Sequence, residues 1–84
     1  MRVTAVESTA LATVGYEEDG GLLQLEFRSR AIYQYFGVPV AVHEGLLQAS
    51  SKGRYFNQAI RGRFPYGPLP QWNPSAAMPL RSRR

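Results

Sequence analysis

From Leu11 to Phe36 the apolar side chains recur with a period near two, and the interruptions are turn residues. Such alternation marks strands with one buried and one wet face, so this segment is predicted to form a three-stranded antiparallel meander. The first strand runs over roughly 11–16, and Glu17-Glu18-Asp19-Gly20-Gly21 supplies the positive φ angles of a tight hairpin. In the second strand, 22–27, Leu23, Leu25 and Phe27 face one way and Gln24 and Glu26 the other. Arg28-Ser29-Arg30 turns the chain into a third strand, 31–36, with Tyr33 and Tyr35 on one face and Ile32, Gln34 and Phe36 on the opposite one. Residues 2–9 supply either a short edge strand or a capped lead-in.

At Val38-Pro39 the period lengthens. Val38, Val42, Leu46 and Ala49 recur at helical spacing, and proline suits a helical first turn, so a short helix follows with Glu44 and Gln48 outward. Gly45 costs it about 1 kcal/mol relative to alanine, which packing has to offset. Ser50-Ser51 can cap a second helix running to about Phe64, with Phe56, Ala59, Ile60 and Phe64 as its core stripe and Arg54, Gln58 and Arg61 on the other face. Five of the six prolines then lie between Pro65 and Pro79, together with Gly67 and Trp72, ahead of a closing Arg81-Ser82-Arg83-Arg84. That composition cannot sustain a helix. The expected fold is therefore α+β: a meander followed by two short helices packed on one face, residues 1–64, with an extended or disordered Pro/Arg-rich tail, residues 65–84. Trp72 is either an anchor for that tail or a chance aromatic.

Composition narrows the class of protein. A chain of 84 residues holds one small domain, for which self-association is a natural source of stability, and a homo-oligomer is expected. The absence of cysteine removes disulfides and thiolate metal sites and fits a reducing cytoplasmic location. The first residues build no secretory apolar region, and no apolar run approaches the roughly 20 residues of a membrane helix. The net charge of +4 is unevenly spread. Residues 1–50 carry three arginines against six acids, a net −3, whereas residues 51–84 carry seven basic residues and no acid. A field concentrated in this way favours anionic partners.

The candidate chemistry is that of binding. Tyr33 and Tyr35 leave the same face of a strand and can form a stacking platform of the kind RNA-binding sheets use, or pack under the helices. Lys52, Arg54, Arg61 and Arg63 cluster around the second helix, within reach of several phosphates, or form a solvated helix face. Asn57 stands one turn before Arg61 and offers either an amide to a base edge or a bond to nearby backbone. Phe64 and Tyr66 add further stacking surface. His43 is the only histidine and has no second strong ligand in its helix, so no metal site is expected. Glu17, Glu18 and Asp19 sit at a hairpin tip, and the serines have no visible base, so no catalytic residue and no cofactor are assigned.

The ordered set Val6, Ser8, Val14-Gly15-Tyr16, Leu25, Phe27, Tyr33-Gln34-Tyr35, Val38-Pro39, Ala49-Ser50-Ser51, Gly53, Tyr55-Phe56-Asn57, Ile60 and Phe64 resembles the KTSC domain, named for the C-terminal domain of some lysyl-tRNA synthetases. The resemblance covers roughly residues 3–66. Arg30 stands where the family pattern has glycine in the turn before the third strand, and Lys52 where an apolar residue or proline is usual; both changes add positive charge. The resemblance implies a bacterial or phage protein, often stand-alone, with RNA binding as a suggested role. Residues and resemblance together lead to a non-enzymatic binding module for RNA or another polyanion. The alternatives are a structural module that forms homo-oligomers, or a protein that sequesters a small nucleotide in pockets between subunits.

Overall fold

The computed structural model describes residues 1–68. Its framework is a five-stranded antiparallel sheet in sequential order: β1 (Arg2–Ala5), β2 (Leu11–Glu17), β3 (Leu22–Phe27), β4 (Ile32–Tyr35) and β5 (Tyr66–Pro68). The expected meander forms its centre. Two edge strands were not among the three expected strands, and each has a local reason. For residues 2–9 the edge-strand alternative holds: Arg2–Ala5, all exposed, pair with Thr13–Tyr16. Tyr66–Pro68 belong to the proline-rich segment assigned to the tail, yet they pair with Tyr33–Tyr35 as an edge strand, a place that tolerates proline because the outer N–H has no ladder to complete. The remainder of the expected tail, with Trp72, lies outside the described residues.

Register decides which side chains meet. Tyr16 lies opposite Leu23, Leu23 opposite Tyr35 and Tyr35 opposite Tyr66, while the next row joins Val14, Leu25 and Tyr33. These rows face the helices. On the outer side Gln34 Nε2 donates to Gln24 Oε1 at 3.0 Å, and Thr13 Oγ1 donates to Glu26 Oε1 at 3.0 Å, a polar surface that needs no cover. Leu11, Val14, Leu23, Leu25, Val38, Leu46 and Ile60 are fully buried between sheet and helices. Burying each such side chain contributes about 1.5–3 kcal/mol.

The turns are held by specific backbone geometry. Gly21, at φ +68°, brings its carbonyl to accept from Val38 N–H at 2.9 Å, so the β2–β3 hairpin is tied to the entrance of the helical part. The β3–β4 turn closes without glycine: Arg30 takes φ +79°, its N–H donating to Phe27 O at 2.9 Å while Phe27 N–H donates to Ala31 O at 2.9 Å.

Helix α1 spans Val40–Gln48 after Pro39, beginning two residues later than the apolar spacing suggested because Val38 serves as a core residue ahead of the helix. Helix α2 covers Lys52–Tyr55, capped by Ser51, whose hydroxyl accepts from Arg54 N–H. It continues as a π-helical turn over Phe56–Ile60, closed by Arg61 N–H donating to Phe56 O at 2.9 Å. The expected run to Phe64 stops at Ile60, because Arg61 is extended and Gly62 takes φ +77°. Phe64 nevertheless packs against the core from the following segment.

Candidate functional site

The sheet register and the π turn together build an aromatic depression of about 390 Å³ lined by Phe27, Tyr33, Tyr35, Phe56, Tyr66, Arg61 and Gly62. Its floor starts on β4. Tyr35 is 4% exposed, and on its neighbouring strand Tyr66 is 60% exposed, their rings stacked at 5.3 Å between centroids and 22° between planes. Tyr33 meets Tyr66 edge-on at 5.9 Å and Phe27 at 6.0 Å. Phe56 closes the cluster from above, edge-on to Phe27 at 5.4 Å and to Tyr35 at 5.7 Å. Edge-to-face and offset-stacked pairs are the arrangements that aromatic quadrupoles favour, so the rings stabilise one another's placement.

The π turn explains why an arginine stands at the rim. Its wider closure ends the helix at Ile60, and Gly62 then redirects the chain toward β5, leaving Arg61 beside the rings. The Tyr35 phenol titrates above its ordinary range, chiefly because burial disfavours its charged form; Tyr66 and Tyr33 push the same way and Arg61 opposes. Tyr35 is thus a neutral phenol at physiological pH, in the same depression as the Arg61 guanidinium.

Of the residues singled out from the sequence, Tyr33, Tyr35, Arg61 and Tyr66 come together here. The others are placed apart. Lys52 Nζ donates to Leu47 O at 3.1 Å and Ala49 O at 2.9 Å, capping the C-terminus of α1. Arg63 Nε donates to Gln58 O at 2.9 Å, though the residue remains exposed. Arg54 and Asn57 are exposed on α2 and the π turn. Phe56, expected only in the core, is a wall of the site, and Phe27 is another. Their spacing along the chain signals burial equally well, so nothing local distinguishes a wall from a core residue. Tyr66 is drawn in by strand pairing from a segment that was expected to be tail.

The remaining chemistry-bearing side chains have structural partners or lie elsewhere. Ser8 Oγ accepts from Ala10 N–H at 3.0 Å and Leu11 N–H at 3.2 Å. Glu17 pairs with the N-terminal ammonium at 3.6 Å. His43 is buried against Tyr16, ring on ring at 4.3 Å and 11°. Among the described residues no three histidine, cysteine or acidic side chains converge to hold a metal ion, and no helix is long and apolar enough to cross a membrane.

Comparison with known proteins adds a family. Residues 7–64 match the family model of the KTSC domain. A protein of Stutzerimonas stutzeri is 41% identical over 61 residues, covering 73% of this chain and 86% of that protein. A lysine-tRNA ligase of a Nostoc species is 44% identical over 63 residues, which is 75% of this chain but 11% of the ligase. The crystal structure of a KTSC domain protein from Yersinia pestis superimposes with a TM-score of 0.79 at 35% sequence identity, covering 82% of this chain and 97% of that one.

Proposed function

This chain belongs to the KTSC domain family, and from that premise we propose that it is a non-catalytic binding module for RNA or a related polyanion, engaged through the aromatic depression and its arginine rim. The observation that carries the reading is Tyr66: a largely exposed ring, backed by Tyr35 and set beside Arg61. An exposed aromatic ring backed by a second ring is suited to stacking on an unpaired base, a contact worth about 1–3 kcal/mol. A neighbouring guanidinium suits the adjoining phosphate. Arg54 on α2 and Arg63 in the turn after the helical segment, both exposed, extend the positive field that the charge distribution concentrates in the C-terminal part of the chain. The ligase relatives, named for a tRNA substrate, carry the same domain as a small part of their length, which supports RNA as the polyanion.

The test is a titration of labelled single-stranded RNA at low and physiological salt. With Arg54, Arg61 and Arg63 each neutralising one phosphate, log K falls with log salt at a slope of about −2. Arg61→Glu lowers the slope and the affinity, and Tyr66→Ala lowers affinity about tenfold or more with little change in slope. Salt-independent binding, or binding indifferent to both substitutions, rejects the assignment.

A further inference from the structure

A second depression, of about 360 Å³, lies at the other side of the sheet rows, lined by Arg2, Tyr16, Glu18, Val40, His43, Glu44 and Leu47. Tyr16 on β2 and Tyr66 on β5 stand in one cross-strand row three strand spacings apart, about 14 Å, so this cavity is separate from the aromatic site. It continues past Tyr16, Glu18 and Val40 into an adjoining space of about 370 Å³ beside Gly20, Gly21, Gly37, Val38 and Pro39.

His43 is the unusual member. It is only 8% exposed, yet among the described residues neither ring nitrogen makes a hydrogen bond, although its backbone N–H donates to Pro39 O. Tyr16, stacked on it, has by contrast a settled polar end, its hydroxyl donating to Val38 O. A buried imidazole without partners is costly, and one that lines a cavity is satisfied by whatever enters. Around it the rim holds two carboxylates, Glu18 and Glu44, against one guanidinium, Arg2, and no ion pair joins them among the described residues. In a chain whose overall charge is +4, this cavity is locally negative. The walls Val40 and Leu47 offer apolar surface for an alkyl stem.

We propose that this cavity binds an alkylguanidinium or alkylammonium group, whose stem lies along Val40 and Leu47 while its N–H groups donate to the unprotonated ring nitrogen of His43 and to the carboxylates of Glu18 and Glu44. A bare metal ion is disfavoured because the acidic and imidazole groups do not converge on a point among the described residues. An anion is disfavoured by the two carboxylates. The same head group is presented by a partner protein's arginine or lysine side chain and by a free amine or guanidine, and probe choice separates the two.

The test uses the full chain in two-dimensional NMR titrations with N-acetyl-arginine amide, which mimics a protein-borne side chain, and with butylguanidine, a free alkylguanidine of the same single charge. The expected result is saturable shift changes centred on Tyr16, Glu18, Val40, His43 and Glu44 that leave Tyr33, Tyr35 and Tyr66 unmoved. Preference for the acetylated amide marks a peptide side chain, and preference for butylguanidine a free guanidine. Glu18→Gln with Glu44→Gln, both at exposed positions, weakens binding at least tenfold, while Arg2→Ala tightens it by removing a like charge. Non-saturating shifts, saturation unchanged in the double variant, or weakening by Arg2→Ala each overturn the proposal. Because the readout is local to this cavity, its failure is distinguishable from failure of RNA binding at the other.

Discussion

The ring of Tyr55 lies directly against the backbone of Gly45, so closely that a Cβ built on Gly45 would stand 2.8 Å from Tyr55 Cζ. Helix propensity alone would favour alanine at this mid-helix position by about 1 kcal/mol. The packing reverses the sign. Gly45→Ala is expected to destabilise the domain by about 1–3 kcal/mol, since the half-buried ring must move out of a packed core. In a Tyr55→Ala background the same substitution becomes neutral or stabilising. Urea unfolding of the four members of this cycle measures the coupling; equal effects of Gly45→Ala in both backgrounds would refute it.

Gly20 and Gly21 share a hairpin and a positive φ, at +90° and +68°, but not an environment. A Cβ on Gly20 meets nothing within 4 Å, whereas on Gly21 it lies 2.8 Å from Val38 O and 2.9 Å from Val38 N. Gly20→Ala therefore costs only the left-handed conformation, about 1 kcal/mol. Gly21→Ala adds a collision with backbone and breaks the tie to Val38, and its loss of thermal stability is expected to be at least twice as large.

Arg30 occupies φ +79° with a side chain that disfavours it. Arg30→Gly is expected to stabilise the domain by about 1 kcal/mol, tempered by glycine's larger unfolded-state entropy. For a domain of this size 1 kcal/mol corresponds to roughly 4–8 °C in Tm. A fall in Tm would show that the arginine side chain contributes more than its backbone strain costs.

Burial lowers the pKa of His43 below its ordinary 6.5, with Arg2 acting in the same direction and Glu44 in opposition. The unfolded chain then binds a proton more readily than the folded one, so this residue's contribution to stability is fully present above pH 6.5 and is lost as pH falls toward the folded pKa. The difference in unfolding midpoint between wild type and His43→Phe, which keeps an aromatic ring on Tyr16, isolates this residue from the carboxylates that titrate lower. Between pH 7 and pH 5 wild type should lose more stability than His43→Phe; parallel curves would count against the assignment.

The cluster of Lys52, Arg54, Arg61 and Arg63 around the second helix was legible as a pattern, because charge and spacing are properties of neighbouring residues. The fate of the individual cations was not. Lys52 is drawn onto the carbonyls that end α1, and Arg63 onto Gln58 O, because the chain turns sharply at those points. Only Arg61 reaches the tyrosines, and it does so through a π turn that no local propensity announces.

Alternation from Leu11 to Phe36 determined three central strands and put Tyr33 and Tyr35 on a common face, since side-chain direction along a strand follows the backbone period alone. Turn glycines, the switch in period after Val38 and the segregation of charge were likewise readable without partners. The edge strands β1 and β5, the union of Tyr66 with Tyr35 and the burial of His43 against Tyr16 were decided only in three dimensions. Each depends on groups distant in the chain coming into register, and pairing between strands, unlike alternation within one, leaves little trace in either segment by itself.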